Sequence, residues 1–187
     1  MQVAQGLLFL SMAVVFIALA VLVILQNSFL RLNSSIGIAR DGLPPGKAAP
    51  SWQLPDLEGR LHLTPAGDHW QLLIFINQAL AAFPDLVTGM HQLAATFQQL
   101  EVLILSTESK QDCADTVQQL GLQVPIVPID AALSDRFRVR VMPFAFFLDP
   151  DGRVRWVGLV NTAAQLSLAW RMARAATAAV SLEGGGR

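Results

Sequence analysis

No charged side chain occurs before Arg31, although the chain of 187 residues contains 13 Lys plus Arg and 14 Asp plus Glu. Within this charge-free block, residues 6–25 read GLLFLSMAVVFIALAVLVIL, and Ser11 is the only polar side chain among them. A helix of 20 such residues, at about 1.5 Å per residue, spans the roughly 30 Å hydrocarbon core of a bilayer. The sequence therefore predicts a transmembrane anchor over residues 1–30.

A cleaved signal peptide is the alternative interpretation of this block, but three features disfavour it. The block has no basic amino-terminal region, no small-x-small cleavage site precedes Arg31, and the apolar core exceeds the usual length of about 7–15 residues. The flanking charges bear on orientation, because Arg31, Arg40 and Lys47 follow the apolar segment and no basic residue precedes it. The positive-inside rule alone then places the C-terminal part in the cytoplasm.

After the anchor, the composition is that of a linker followed by one domain. Residues 31–50 contain Pro44, Pro45, Pro50 and three glycines, which is typical of a connecting segment. The residues beyond it are enough for one domain with a full core and too few for two. We therefore expect a domain over residues 51–181 and a flexible tail over residues 182–187.

Composition also excludes several classes of function. The net charge is −1 and no Lys/Arg cluster is present, which argues against a nucleic-acid partner. A single cysteine, Cys113, excludes an intramolecular disulfide and any multi-cysteine metal site within these residues. The three histidines (His62, His69 and His91) are scattered over different predicted elements without metal-ligand spacing, and no glycine-rich phosphate loop occurs. We expect no metal and no cofactor.

Short apolar runs and amphipathic segments alternate along the domain. They predict strands at residues 72–76, 102–106, 144–148 and 154–160, a short apolar run at 124–127, and helices at about 83–100, 111–120 and 162–179. Gly121 is a natural stop for the second helix. The turn DPDG at residues 149–152 predicts a hairpin of the last two strands. The order β-α-β-α-β-β-α indicates an α/β fold.

Two stretches carry a resemblance to a known family. GKAAPSWQLPDLEGR at residues 46–60 is similar to the G-x-x-A-P-x-F-x-L-x-D-L-x-G opening of the membrane-anchored thioredoxin and peroxiredoxin superfamily. RFRVRVMPFAFFLDPDGRVRWVGLVN at residues 136–161 resembles the MauD family of methylamine utilisation proteins, which pairs an LPYAVLID strand with a KGLVN strand and also starts with one membrane helix. The resemblance implies a thioredoxin-like domain behind a single transmembrane helix, a bacterial source and a periplasmic location.

The resemblance also shows where the sequence departs from the family. In the family, the first central strand runs into a Cys-Pro-x-Cys loop, where a helix N-terminus makes the first thiol nucleophilic. The corresponding residues here are Leu80, Ala81, Ala82 and Phe83. Because thiol-disulfide exchange needs a thiolate, we expect no catalytic residue. Leu80 and Phe83 either form an apolar docking surface or pack inward.

Two further positions are candidate site residues. Cys113 falls inside a predicted helix after the second central strand, so we expect a structural thiol displaced from the loop rather than a reactive one. Met142-Pro143 precedes the first strand of the predicted hairpin, at the position of the family's cis-proline. We predict a cis peptide bond there, which is either part of the fold or a retained peptide-docking edge.

These observations lead to a first hypothesis and two alternatives. The first is a redox-inactive, membrane-anchored accessory or assembly subunit of a bacterial membrane complex. The resemblance implies a complex that takes part in electron transfer, either respiratory or photosynthetic. Its partners would be membrane lipid and other membrane-protein subunits of the inner membrane. The resemblance places its domain in the periplasm, although the distribution of basic residues favours the cytoplasm. The alternatives are a MauD-like maturation factor or thiol-disulfide oxidoreductase working through Cys113, and a chaperone that binds peptides at Met142-Pro143.

Overall fold

The computed structural model describes residues 41–184. The predicted transmembrane anchor at residues 1–30 and the first part of the predicted linker lie outside the described residues, as does the chain end after residue 184. Within the described part, no helix combines the length and the apolar character needed to cross a membrane.

Within residues 41–184, seven strands form two sheets. A two-stranded antiparallel sheet consists of β1 (Trp52–Pro55) and β2 (Leu61–Thr64). A five-stranded sheet has the order β5-β4-β3-β6-β7. Its strands are β3 (Trp70–Ile76), β4 (Leu100–Ser106), β5 (Ile126–Pro128), β6 (Phe144–Leu148) and β7 (Val154–Leu159). Strands β3, β4 and β5 run parallel to each other, while β6 is antiparallel to both β3 and β7.

The described residues contain one 3-10 helix and four α-helices. They are the 3-10 helix Gln78–Ala82, α1 (Pro84–Thr96), α2 (Lys110–Leu120), α3 (Ala131–Phe137) and α4 (Ala163–Gly184). Alternate residues of β3, from Trp70 to Ile76, share one hydrophobic cluster with side chains of α1 and α4. On the other face, Phe75 packs against Phe137 of α3 at a ring distance of 5.1 Å. Both faces of β3 are covered, which explains its continuous apolar run.

The predicted elements are present, with shifts at their ends. The predicted first helix ends at Thr96 and not at residue 100, because Leu100 pairs with Trp70 as the first residue of β4. The second helix ends as expected at Gly121, which adopts a left-handed conformation with φ of 60°. The last helix continues to Gly184, into the stretch predicted as a flexible tail. The hairpin β1–β2 and helix α3 were not predicted.

Residues 41–50, which the sequence analysis assigned to the linker, pack against the domain. Leu43 is 4% exposed, and the N–H of Gly42 donates to the carbonyl oxygen of Arg138 at 2.9 Å. Ala48 forms an isolated antiparallel bridge with Arg153. The proline-rich segment therefore packs along the surface of the domain, and the folded domain includes residues before position 51.

The contact between α1 and α4 depends on a glycine. A Cβ atom at Gly89 would lie 2.6 Å from the Cα of Ala163 and 2.9 Å from its Cβ. We therefore expect Gly89→Ala to lower the free energy of unfolding by about 1–3 kcal/mol through overpacking, measured by denaturant titration. Gln92→Ala, at an exposed position of α1, should change it by about 0.5 kcal/mol or less. Equal effects of the two variants would contradict this packing.

Candidate functional site

Sheet topology brings the predicted site segments to one edge of the five-stranded sheet. Strands β3 and β4 end together, because Ile76 pairs with Ser106. Strand β6 begins at the same edge, because Phe144 pairs with Phe75. The 3-10 helix that follows β3, the turn that leads from β4 into α2, and Met142-Pro143 before β6 therefore all emerge there. We name this edge, formed by residues 77–83, 107–113 and 141–143, the carboxyl edge.

The loop predicted to replace the family's Cys-Pro-x-Cys segment lies at the start of α1. Leu80 is 1% exposed and its carbonyl oxygen accepts from the N–H of Phe83 at 2.9 Å. Phe83 is the N-cap of α1, is half-buried and packs against the hydrophobic cluster. Ala81 and Ala82 are exposed. Of the two interpretations of the apolar pair, inward packing holds for Leu80 and largely for Phe83.

The Met142-Pro143 peptide bond is cis, as predicted from the sequence. The carbonyl oxygen of Pro143 accepts a hydrogen bond at 3.4 Å from the N–H of Val160, which directly follows β7. Pro143 is buried, Met142 is half-buried and Val141 is exposed. The exposed side chains of this edge are apolar at Ala81, Ala82 and Val141 and polar or charged at Asn77, Thr107, Ser109, Lys110, Gln111 and Asp112.

Cys113 lies in the first turns of α2 and its side chain points into the protein. The residue is 3% exposed, and its Sγ donates a weak hydrogen bond to the carbonyl oxygen of Glu108 at 3.9 Å. Burial raises the pKa of the thiol; a hydrogen bond with Ser106 opposes the rise, and the nearby Glu108 and Asp112 add to it. A buried thiol with a raised pKa is a poor nucleophile at neutral pH.

The position of Cys113 in the fold differs from the expectation in one respect. Helix α2 contacts the 3-10 helix, and Cys113 belongs to the same hydrophobic cluster as Leu80. The thiol is therefore on an element adjacent to the loop, although the two are distant in sequence. Its burial, rather than its distance from the loop, limits its chemistry.

The burial of Cys113 predicts slow reaction with thiol reagents. We expect the native protein to react with a maleimide on the order of 100-fold more slowly than the same chain in guanidinium chloride, because the thiolate is both rare and covered. Stopped-flow or mass-spectrometric labelling measures both rates, with glutathione as the reference thiol. A native rate within about threefold of the denatured rate would contradict the assignment of a structural cysteine.

At the opposite edge of the sheet lies a groove of about 470 Å³, lined by Thr96, Phe97, Gln98, Gln99, Trp170 and Arg174. The Arg174 guanidinium lies 5.5 Å from the ring of Trp170 and 5.6 Å from that of Trp70, which is the geometry of a cation–π interaction. Trp70 begins β3, so this groove is separated from the carboxyl edge by the length of that strand. Because Arg174 stacks on these two rings, we interpret the groove as a place where α4 packs against the domain and not as a binding site.

The three histidines lie in different parts of the fold, as the sequence indicated, but the structure brings two of them to one carboxylate. His62 and His69 both contact the carboxylate of Glu101, with Nδ1 of His62 at 2.7 Å from Oε1 and Nε2 of His69 at 3.2 Å from Oε2. The buried Gln71 donates to the same carboxylate at 2.8 Å. His91 is elsewhere and accepts from the N–H of Gln123 at 3.0 Å. Within residues 41–184, no cluster has the arrangement of a metal site.

Hydrogen bonds outweigh burial in setting the protonation of this cluster. Burial alone would raise the pKa of Glu101, but hydrogen bonds from Gln71, His62 and His69 hold that pKa below its ordinary value. For His69, burial opposes protonation, whereas hydrogen bonds to Glu101 and Asp68 raise the pKa above 6.5. The cluster therefore combines ionised carboxylates with an imidazole that favours its charged form.

The fold and the carboxyl edge define a class of protein. A central sheet of order β5-β4-β3-β6-β7, a helix that starts directly after the first central strand, and a cis-proline before β6 constitute a thioredoxin-like α/β domain. Residues 45–157, more than half of the chain, match the AhpC/TSA family, and the chain belongs to that family. No curated protein sequence gives a significant match.

Solved structures with the same fold include redox proteins. A candidate thiol:disulfide interchange protein DsbE from Chlorobium tepidum has a TM-score of 0.60 and 19% identity over 72% of this chain and 98% of that chain. Peroxidoxin BcpB from Mycobacterium tuberculosis has a TM-score of 0.59 and 18% identity over 71% and 97%. A thiol:disulfide interchange protein from Bacteroides sp. has a TM-score of 0.55 and 15% identity over 67% and 88%. Identities this low show the fold alone.

Proposed function

We propose that this protein is a redox-inactive, membrane-anchored accessory or assembly subunit of a bacterial membrane complex. The observation that carries the proposal is the identity and burial of Leu80, which the resemblance aligns with the family's nucleophilic cysteine and which is 1% exposed. The 187 residues contain one cysteine and no Cys-x-x-Cys pair. A thioredoxin-like scaffold without an accessible thiolate retains surfaces for protein contacts but not the attacking group of disulfide exchange.

The surface of the domain supports a role in protein contacts. The carboxyl edge exposes a small apolar group, Ala81, Ala82 and Val141, and Val141 is 42% exposed. Apolar side chains grouped at a surface often mark an interface. We propose that a partner subunit docks on this edge.

The membrane assignment rests on the sequence. The 20 apolar residues from position 6 to position 25 have the length and composition of a transmembrane helix, and we propose that they anchor the protein in the inner membrane as a single span. The resemblance to MauD proteins favours a periplasmic domain and a complex concerned with electron transfer, respiratory or photosynthetic. Membrane lipid and membrane-protein subunits are the partners that this arrangement implies.

Affinity purification from native membranes tests the proposed role. The full chain, tagged at its C-terminus and expressed at its natural level, is extracted in a mild detergent, and the co-purifying proteins are quantified by mass spectrometry. We expect a fixed set of membrane-protein subunits in stoichiometric amounts. Recovery of the chain alone, or with unfolded proteins in variable amounts, would contradict a role as a subunit.

Two charge substitutions locate the contact. Ala82→Glu introduces a charge at the carboxyl edge and should reduce the co-purified subunits at least about tenfold, because a charge is costly to bury without a partner. Gln98→Glu introduces the same charge at an exposed position near the opposite edge and should leave the yield unchanged. Equal losses, or no loss with either variant, would place the contact elsewhere.

A MauD-like maturation factor or thiol-disulfide oxidoreductase is the second candidate. It is favoured by the AhpC/TSA family match, since that family includes redox enzymes, and by the position of Cys113 on a helix adjacent to the loop. This function requires the lone thiol to pair with a thiol of another protein. Alkylation trapping should then capture mixed disulfides of Cys113, and Cys113→Ser should abolish function. Full function of Cys113→Ser would rule out this candidate.

A further inference from the structure

A chain of alternating carboxylates and imidazoles joins the β1–β2 hairpin to β4. Asp68 Oδ1 lies 2.5 Å from His69 Nδ1, and His69 Nε2 lies 3.2 Å from Glu101 Oε2. Glu101 Oε1 lies 2.7 Å from His62 Nδ1, and His62 Nε2 lies 3.1 Å from Asp56 Oδ2. Each imidazole therefore has a carboxylate oxygen on both of its ring nitrogens.

This geometry favours the protonated form of His69, which has a carboxylate on both sides. A neutral imidazole has one N–H and can donate to one carboxylate only, so its second nitrogen would direct a lone pair at an anion. The imidazolium donates on both sides. The carboxylates themselves are ionised in this arrangement, because Asp56 Oδ1 already accepts the N–H groups of Glu58 and Arg60, both at 2.9 Å, and Gln71 donates to Glu101.

The charges around His69 determine how strongly its proton is held. Asp56, Glu58, Asp68 and Glu101 carry four negative charges, and the fixed positive charge in contact with them is Arg60. Protonation of His69 therefore adds a positive charge to a group in which acidic side chains outnumber basic ones. The residues of α2 that line the adjacent groove are Ala114, Val117 and Gln118, which are uncharged, and β5 has no titratable residue. Arg174 of α4 stacks over Trp70. Adjacent residues of a strand point to opposite faces, so Trp70 lies on the face of β3 opposite to Gln71.

The hairpin depends on such side-chain contacts. Strands β1 and β2 form their own two-stranded sheet and pair with no strand of the five-stranded sheet in the described part of the chain. A two-stranded hairpin alone is marginally stable in water. The side chains of His62 and Asp56 are 11% and 2% exposed, so water does not readily replace a lost hydrogen bond at these positions.

We propose that the chain Asp56–His62–Glu101–His69–Asp68 is a proton-operated latch: protonated His69 holds the carboxylate of Glu101 in position to bind His62 and so fastens the β1–β2 hairpin to β4, and the latch loosens when His69 loses its proton. The latch lies away from the carboxyl edge and is independent of the proposed function. Burial opposes protonation of His69 but its carboxylate partners raise its pKa above 6.5, which puts the release of this ring on the alkaline side of that value. The state of the hairpin would thus report the pH of the compartment that contains the domain.

Hydrogen exchange measured by mass spectrometry tests the latch on the full-length protein at pH 5.5 and pH 8.0, with exchange times corrected for the intrinsic rate. We expect the amides of residues 52–64 to lose protection about tenfold at the higher pH, because a charge-assisted hydrogen bond is lost. Amides of β6 serve as the internal reference and should not change. Equal protection of the hairpin at both pH values would overturn the proposal.

The double variant His62→Gln/His69→Gln separates the latch from other effects of pH. Glutamine keeps an amide donor but does not titrate, so the pH dependence of the hairpin should disappear. His91→Gln is the matched control and should behave as the wild type. A pH dependence that persists in the double variant would overturn the proposal.

A second measurement covers the case in which the double variant fails to fold. Nitrogen NMR shifts of the imidazole rings report protonation in the wild type directly. At pH 5.5 we expect both nitrogens of His69 to carry a proton. One unprotonated nitrogen in this ring at this pH would contradict the latch.

Discussion

Replacement of Phe147 by alanine is expected to lower the free energy of unfolding by about 3–5 kcal/mol, because a fully buried aromatic ring is lost and a cavity remains. Phe147 is 0% exposed. Its ring lies 5.4 Å from that of Trp170 and 6.1 Å from that of Trp156, so it connects β6 to both α4 and β7. Denaturant unfolding of the purified full chain, followed by tryptophan fluorescence, measures the change.

Phe97→Ala is the matched control for this substitution. Phe97 also contacts Trp170, at a ring distance of 5.3 Å, but it is 37% exposed. We expect its replacement to cost about 1 kcal/mol, since this ring is partly exposed to water and its loss leaves no enclosed cavity. A Phe147→Ala variant as stable as Phe97→Ala would mean that β6 is not the centre of the core.

Glu101→Gln is expected to lower the free energy of unfolding by about 2–3 kcal/mol at pH 6. The carboxylate of Glu101 accepts from His62, His69 and Gln71, and an amide presents one acceptor oxygen and one donor nitrogen in its place. One imidazolium then faces an N–H group. Glu58→Gln is the control, because that side chain is 73% exposed in its ion pair with Arg60 and should cost about 0.5 kcal/mol or less.

The pH dependence of stability follows from the same contacts. Burial acts against ionisation of Asp56 and Glu101, but their hydrogen bonds lower both pKa values, below 3.8 and 4.5; their contribution is complete above these values and is lost as the pH falls. The pKa of His69 is raised above 6.5, so its contribution is complete below 6.5 and is lost as the pH rises through the raised value. We expect the highest stability between about pH 4.5 and 6.5 and a flatter profile in Glu101→Gln.

The core of the fold could be predicted because local signals and tertiary packing agree there. Residues 72–76 of β3 and all of β6 are apolar and buried on both faces, so a continuous apolar run in the sequence identifies each strand. Gly121 ends α2 with a positive φ, and Gly152 adopts a φ of 74° in the DPDG turn. Both positions have a positive φ, which favours glycine, and such turn and helix-end glycines can be recognised in a sequence.

The hairpin β1–β2 could not be predicted in the same way. Its strands have four residues each, and their alternation of apolar and polar side chains is too short to distinguish from a loop. In β2, Leu61 and Leu63 are exposed at 63% and 45%, which inverts the usual relation between apolar character and burial. The reason is that His62 points inward to Asp56 and Glu101.

The candidate site could be located but not fully described from the sequence. The strand register placed residues 80–83 at the start of α1, and the cis form of Met142-Pro143 is confirmed. The burial of Leu80 depends on contacts with elements far along the chain, and the convergence of His62 on Glu101 joins residues 39 positions apart. No periodicity or local motif encodes such contacts.

The decisive measurement is native gel electrophoresis of membranes solubilised in a mild detergent, from cells in which Cys113→Ser replaces the natural chain. We expect the variant to migrate in an assembly far larger than its own mass of 20.3 kDa, in the same amount and at the same position as the wild-type protein. Loss of the assembly in Cys113→Ser would show that the thiol is essential. Migration of the wild-type chain as a monomer would contradict a role as a subunit.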